Sequence, residues 1–409
     1  MKRLFIIMLM FAALVSICFT TVAAQAKDPI KLVMCEILSG NFQDVGERSV
    51  KGAKYAVKTI NERGGILGRP VKLFVFDHEG KLDVTSRKAT RYLYKEQAHY
   101  FVGGTFSSIA NAMSNFARKH KVLLFAYMWP PQNLTNENCH RYFLRPSVST
   151  DMQSNAIALW VAQKGFKRVF CIGQDWNFGH ESIGAFKRKL AEIAPNIKIV
   201  GEIYHKPGEK EYAPYISQAI SAKADVIFTG DWGNDLRLLI KQSISLGLKV
   251  PYATYVLGDV ENFKAIGSEI CEQIVGSCAC DGFELSIPTS ANKKFIEGFK
   301  KEYGFYPSYT AGKAYDNILY WAKAVQTAGK DDVEAVINAW EGLEYVGIGG
   351  KVVMRKCDHQ GIRSVWCAEV AKKNQFFKFP YMDTATEFPG PKVVTPADKT
   401  NCPECMKKK

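Results

Sequence analysis

The sequence predicts an α/β protein built as two similar lobes. Three observations carry this prediction. Short apolar, β-branched runs alternate with amphipathic stretches of helical period, as parallel sheets with helices on both faces require. The alternation passes through two comparable series, residues 30–145 and 168–280. The chain's 409 residues also exceed what one core holds comfortably.

The chain opens on Lys2 and Arg3, the apolar run Leu4 to Val15, and small residues ending Ala24-Gln25-Ala26. This pattern predicts a secretory signal peptide, residues 1–26, cleaved after Ala26. Two readings compete. An uncleaved anchor is weakened by Thr20, Thr21 and Gln25, and a lipoprotein site at Val15-Ser16-Ile17-Cys18 is weakened by the bulk of Ile17. Cleavage leaves 409 − 26 = 383 residues with charge 14 − 2 = +12.

The strands are expected at Ile30–Leu38, Val71–Asp77, Tyr100–Thr105, Val122–Ala126, Val169–Gly173, Ile197–Tyr204, Val226–Gly230, Pro251–Leu257 and Ile274–Ala279. Between the first two, Gly46–Arg63 puts Val50, Ala53, Val57 and Ile60 on one helical face. Gly64-Gly65 stops that helix, and Gly68-Arg69-Pro70 turns the chain into the second strand. Asp235–Leu246 repeats the helical pattern with Leu236, Leu239, Ile240 and Ile244. The lobe boundary is expected near Pro146–Met152. Asn292–Val325 then reads as helix, turn, helix. Lys351–Arg355 and Ser364–Val370 flank Asp358-His359-Gln360-Gly361 as a β-hairpin, and the last thirty residues, rich in Pro, Lys and Thr, read as an extended, loosely held tail.

Cysteine usage fits export, since removing Cys18 leaves 11 − 1 = 10, an even number. Cys35 and Cys171 lie in strand runs and read as buried hydrophobes. Cys278 and Cys280, Cys357 and Cys367, and Cys402 and Cys405 are the bridge candidates, with Cys139 and Cys271 unassigned. Cys402-Pro403-Glu404-Cys405 has the form of a redox or metal motif, but no second CxxC or His pair accompanies it, so a tail disulfide is the preferred reading.

No Walker loop, GxSxG elbow, HExxH or placed GxGxxG occurs, and the His residues do not pair at ligand spacing. No catalytic residue, metal or cofactor is expected. Basic residues are dispersed among Glu and Asp, which reads as a solvated surface rather than a nucleic-acid face. What remains is a set of strand ends, where open α/β sheets bind ligands. Ser107 and Ser108 precede a helix (Ala110–Lys119) and suit a carboxylate or carbonyl oxygen. Met128 and Trp129 end the fourth strand. Trp176, Phe178, Asp231 and Trp232 end strands of the second series.

At these residues the sequence resembles the type I periplasmic solute-binding proteins, in the leucine/isoleucine/valine-binding branch of ABC importers. The resemblance runs from about Ile30 to Val370. It is carried by Asn61-Glu62-Arg63-Gly64-Gly65-Ile66-Leu67-Gly68-Arg69-Pro70, Gly103-Gly104-Thr105-Phe106-Ser107-Ser108, Phe178-Gly179 and Tyr309-Thr310-Ala311-Gly312-Lys313-Ala314-Tyr315-Asp316. It implies two Rossmann-like lobes joined by a three-strand hinge, closing on a small molecule and docking on an ABC permease of the inner membrane. The lobes would comprise 27–147 plus 276–350 and 148–275 plus 351–380, with 381–409 as tail. An exported ligand sensor of the same fold is the alternative, and a secreted hydrolase a third class.

Carried over position by position, the resemblance assigns ligand contact to Ser107, Phe178 and Trp232. The family's carboxylate-binding threonine falls near Pro130, which offers neither hydroxyl nor N–H. Its ammonium-pairing acid falls near Val256, or at Asp259 if the alignment slips. The family's early disulfide is absent, with Glu79 and Phe106 in its place. These departures predict an aromatic-lined site (Trp129, Trp176, Trp232) for an amino acid or a related apolar, aromatic or cationic molecule, with Asp231 as counter-charge.

Overall fold

The computed structural model describes residues 28–281 and 284–407. The expected signal peptide lies outside the described residues. Two parallel sheets dominate. In the first lobe β1 (Ile30–Glu36), β2 (Val71–Asp77), β3 (Tyr100–Gly103), β4 (Leu123–Ala126) and β5 (Phe143–Leu144) pair in the order β2-β1-β3-β4-β5. In the second lobe β6 (Arg168–Gln174), β7 (Lys198–His205), β8 (Val226–Thr229), β9 (Tyr252–Thr254) and β10 (Cys278–Ala279) are joined by two antiparallel strands described below. The expected runs therefore form strands, though Pro251–Leu257 shortens to Tyr252–Thr254, mainly at its carboxyl end, and Ile274–Ala279 to Cys278–Ala279 at its amino end.

The helices follow their apolar faces. Val50, Ala53, Val57 and Ile60 are buried on the helix Gln43–Glu62, and Leu236, Leu239, Ile240 and Ile244 on Gly233–Ser245. The helix-turn-helix is Ser290–Tyr303 followed by Tyr309–Ala328. The latter lies so close to Gln43–Glu62 that a Cβ on Gly52 would fall 2.1 Å from Ala311 O. Only glycine permits that approach.

Two expectations about the C-terminal third are corrected. β11 (Glu344–Gly347), β12 (Gly350–Met354) and β13 (Gly361–Arg363) form a small antiparallel sheet of their own, so β12 pairs with β13 and not with the strand that follows. That following strand, β14 (Val365–Ala371), joins the second lobe's sheet beside β10. The last residues are not a loose tail either. β15 (Tyr381–Phe388) pairs antiparallel with β14, and Val393 is fully buried. Tyr381 and Met382 at its start and Phe388 at its end are buried, an anchoring that the Pro and Lys content of the segment obscured.

Three segments cross between the lobes: Arg145–Ser149, the stretch after β10, and the step from β13 to β14. The second crossover thus follows β10, a few residues beyond the expected 275/276 boundary, and the third falls after Arg363 at the end of β13, thirteen residues beyond the expected 350/351 boundary. The first and third run side by side, with Arg145 N donating to His359 O (2.9 Å) and Gly361 N to Arg145 O (2.7 Å). Arg145 is wholly buried, and its guanidinium donates to Gln360, Pro131 O and Thr135.

The disulfides also differ from expectation. Cys139 bonds Cys402, and Cys357 bonds Cys405. Cys278, Cys280 and Cys367 are free and buried, as are Cys35, Cys171 and Cys271. Cys278 and Cys280 are two residues apart in extended chain, with Cα atoms about 6.6 Å apart and Cβ vectors parallel, which a bridge does not tolerate.

Candidate functional site

The carboxyl ends of both parallel sheets face one cleft, and a cavity of about 290 Å³ lies there. Its walls are built by loops that end strands and start helices. β3 leads through Gly104, Thr105 and Phe106 into the helix Ser107–His120; Phe106 sits at φ 61°, a left-handed conformation that a large side chain adopts only under constraint. β6 leads through Trp176 into Asn177–Ile193, and β8 through Trp232 into Gly233–Ser245. All three helices have an aromatic N-cap residue and no side-chain capping bond. By contrast Ser149, Asp259, Thr289, Ser308 and Asp332 cap their helices. The cleft-facing helix starts therefore present N–H groups that no cap side chain satisfies.

The structure brings most of the expected residues together. Ser107, Ser108, Met128, Trp176, Phe178, Trp232 and Val256 line the cavity. Trp176 and Trp232 stack with centroids 6.0 Å apart. Across the mouth Trp232 meets Phe42 of the first lobe at 4.5 Å, and Phe42 meets Phe106 edge-on at 5.4 Å. The lobes also touch through Arg48 Nη1 and Asp259 Oδ2, 3.3 Å apart, so this is a closed arrangement.

Two expected residues lie elsewhere. Trp129 is fully buried in the first lobe's core, donating Nε1–H to Thr105 O (2.7 Å). Its ring occupies the slot left by Gly103, whose Cβ would sit 2.2 Å from Trp129 Cη2. Asp231 is likewise buried behind the cavity, where His205 Nε2 is 2.8 Å from its Oδ2. Burial pushes its carboxyl upward against the opposing pull of His205. Burial would lower the His205 pKa, but the hydrogen bond and charge of Asp231 raise it. Neither residue lines the cavity, so the pair offers no counter-charge to the cleft.

Asp259 is also occupied, pairing with Arg48 and capping its own helix at Glu261 N (3.2 Å). Pro130, where the family's threonine would fall, lines the cavity, but its carbonyl accepts from Thr150 N and Arg145.

Residues missed in the sequence complete the wall. Asp281 accepts from Gln153 Nε2 (2.9 Å) and pairs with Lys313 Nζ, all three lining the cavity. Lys313 and Tyr309 stand within the family-like motif, one turn apart at the start of its helix. That position was the available signal. Tyr255 faces Phe178, and burial holds its phenol protonated, well above its ordinary value. Two buried polar atoms in the wall have no hydrogen-bond partner, Thr105 Oγ1 and Trp176 Nε1. Among the described residues one group could suggest a metal, Cys357, Asp358 and Cys405, but its sulfurs are joined to each other.

The profile of the periplasmic binding protein family matches residues 29–375. The chain belongs to that family. It is a solute-binding protein and not an enzyme, related to substrate-binding proteins of branched-chain amino acid ABC transporters. Among curated relatives, a Leu/Ile/Val-binding protein homologue of Brucella abortus (strain 2308) is 27% identical over 365 residues, covering 86% of each chain. Among solved structures, a leucine-, isoleucine-, valine-, threonine- and alanine-binding protein of Brucella ovis in a closed conformation superposes with TM-score 0.83 at 25% identity, covering 90% of this chain and 97% of that one. A solute-binding protein of Rhodopseudomonas palustris BisB5, in complex with 3,4-dihydroxybenzoic acid, superposes with TM-score 0.78 at 20% identity, covering 91% and 100%. The family is periplasmic, and among the described residues no helix is long and apolar enough to cross a membrane.

Proposed function

We propose that the protein captures a small carboxylate with an apolar or aromatic body between its lobes and delivers it to an ABC permease of the inner membrane. The observation that carries the ligand class is the pairing of Thr105 Oγ1 and Trp176 Nε1, partnerless hydrogen-bonding atoms, with three uncapped helix starts around an apolar chamber. Such donors suit an anion. A cation finds no comparable partner in the wall, since Asp231 does not line the cavity, Asp259 pairs with Arg48, and Asp281 already serves Lys313 and Gln153. The volume, near the ~300 Å³ lower bound of ligand sites, suits one ring or one branched chain.

A second reading, a branched-chain amino acid, is favoured by the Brucella relatives' names. A thermal-shift screen of the mature chain separates the two. Binding at a hundredfold excess over Kd stabilises by ~2.7 kcal/mol, which is readily seen as a shift in Tm. Stabilisation by benzoate-type or aliphatic carboxylates is the expected result. Stabilisation by leucine, isoleucine or valine alone supports the second reading, and stabilisation by quaternary amines alone refutes the proposed ligand class.

A further inference from the structure

The C-terminal segment is fastened to both lobes, and we propose that it is a strap holding them toward the closed arrangement. The inference concerns the lobe motion of the solute-capture reading and rests on it, but its test needs no solute. On the second lobe the segment is seated on the helix Thr150–Lys164. Asn155 Nδ2 donates to Val393 O (2.7 Å) and Thr395 Oγ1 to Asp151 Oδ2 (3.0 Å). On the first lobe Arg355 Nη1 donates to Thr395 O (2.8 Å). Beyond it, Cys402 is bonded to Cys139, in the approach to β5, and Cys405 to Cys357, in the turn between β12 and β13.

These attachment points flank the hinge. Cys139 precedes the first crossover, Cys357 precedes the third, and Asp151 and Asn155 directly follow the first. The strap therefore duplicates the first crossover with a fourth connection, continuous with β15 of the second lobe at one end and disulfide-bonded to the first lobe at the other. It has little slack. Six residues separate Thr395 from Cys402, and the 3₁₀ turn Ala397–Lys399 would lengthen by only about 4 Å on unwinding. Its contacts are complete here, with Phe42 against Trp232 across the cleft mouth. Rotating the second lobe away carries Asp151 and Asn155 from the disulfides, so opening must break strap contacts or stop.

A disulfide also stabilises by restricting the unfolded chain, whatever the lobes do. The experiment must separate the two effects. Small-angle X-ray scattering of the solute-free mature protein would compare the parent with two variants. One carries six Gly/Ser residues inserted after Asp398, keeping both disulfides but slackening the strap. The other carries Cys139→Ser, Cys357→Ser, Cys402→Ser and Cys405→Ser. The expected result is a radius of gyration about 1 Å above the parent's ~21 Å in the slack variant. The four-serine variant matches it, or misfolds, without affecting that conclusion. A slack variant identical to the parent overturns the strap, whatever the four-serine variant does. If the slack variant opens while no solute is found by thermal shift, the strap stands and the capture reading fails.

Discussion

Arg48→Met offers the sharpest test of how the lobes close. Arg48 belongs to the first lobe and Asp259 to the second, their side chains 15% and 6% exposed. Burial raises the Asp259 pKa, and Arg48 only partly offsets it. The carboxylate is therefore tolerated in the closed state because Arg48 is there. At 3.3 Å and an effective dielectric near 20 the gross attraction is about 5 kcal/mol. Residual exposure and the second partner of Arg48, Asp44 at 3.0 Å, reduce the net closed-state loss to about 1.5–3 kcal/mol. Since open lobes return Asp259 to water, the loss falls on closure and raises the solute Kd roughly 10- to 100-fold. Isothermal titration with the solute found by thermal shift measures it. Asp259→Asn should behave nearly as the parent, because Asn still caps the helix and buries no charge. The double variant should recover most of the lost affinity. The reasoning is refuted if Arg48→Met binds within twofold of the parent, or if Asp259→Asn loses as much as Arg48→Met.

Three further outcomes are expected. Glu36 is wholly buried, accepting from Tyr127 OH and Ile37 N (2.9 Å), and burial raises its pKa to about 7. The folded state thus holds an extra proton above the unfolded pKa, so its contribution falls as pH rises from ~4.5 to ~7, by on the order of 3 kcal/mol. Glu36→Gln should flatten urea-measured stability across that window, and an unchanged slope would reject the assignment. Trp232→Ala should weaken solute binding more than tenfold at little cost in Tm, whereas Trp129→Ala should cost ~3–5 kcal/mol of stability; equal thermal losses would mean the cavity wall is misplaced. Lys313→Met leaves Asp281 without its cation, so quaternary amines should begin to bind and carboxylates weaken, both visible by thermal shift.

The fold was legible because its signals are local. Val50, Ala53, Val57 and Ile60 announce a buried helix face by spacing alone, and the β-branched runs announce buried strands whatever they pair with. Pairing is a different matter. Lys351–Arg355 and Ser364–Val370 each look like strands, but nothing within either run tells that β12 turns back onto β13 while β14 enters the other sheet. The third lobe crossover was misplaced by thirteen residues for the same reason, since nothing in the sequence of Lys351–Arg363 tells that it stays with the first lobe.

The site divides along the same line. Trp129, Trp176 and Trp232 all follow strand ends, and their sequence contexts are alike. What separates them is the partner strand: β4 lies beside β3 with Ala126 opposite Gly103, and the indole of Trp129 fills the space that Gly103 leaves. Trp176 and Trp232 each begin a helix, and a helix start on that side of the sheet faces the cleft. The ion pairs were less accessible still, because Lys313 and Asp281, like Arg48 and Asp259, are brought together only by packing or by closure. The CxxC motif is the extreme case. Its residues are three apart, which suggests a pair, yet each bonds a cysteine far away, at separations of 263 and 48 residues. Once β15 is seen to return the chain to the second lobe and Cys402 and Cys405 to fix it on the first, that motif reads as an anchor. A short tail joined to both halves of a hinged protein acts on the hinge before it acts on anything else.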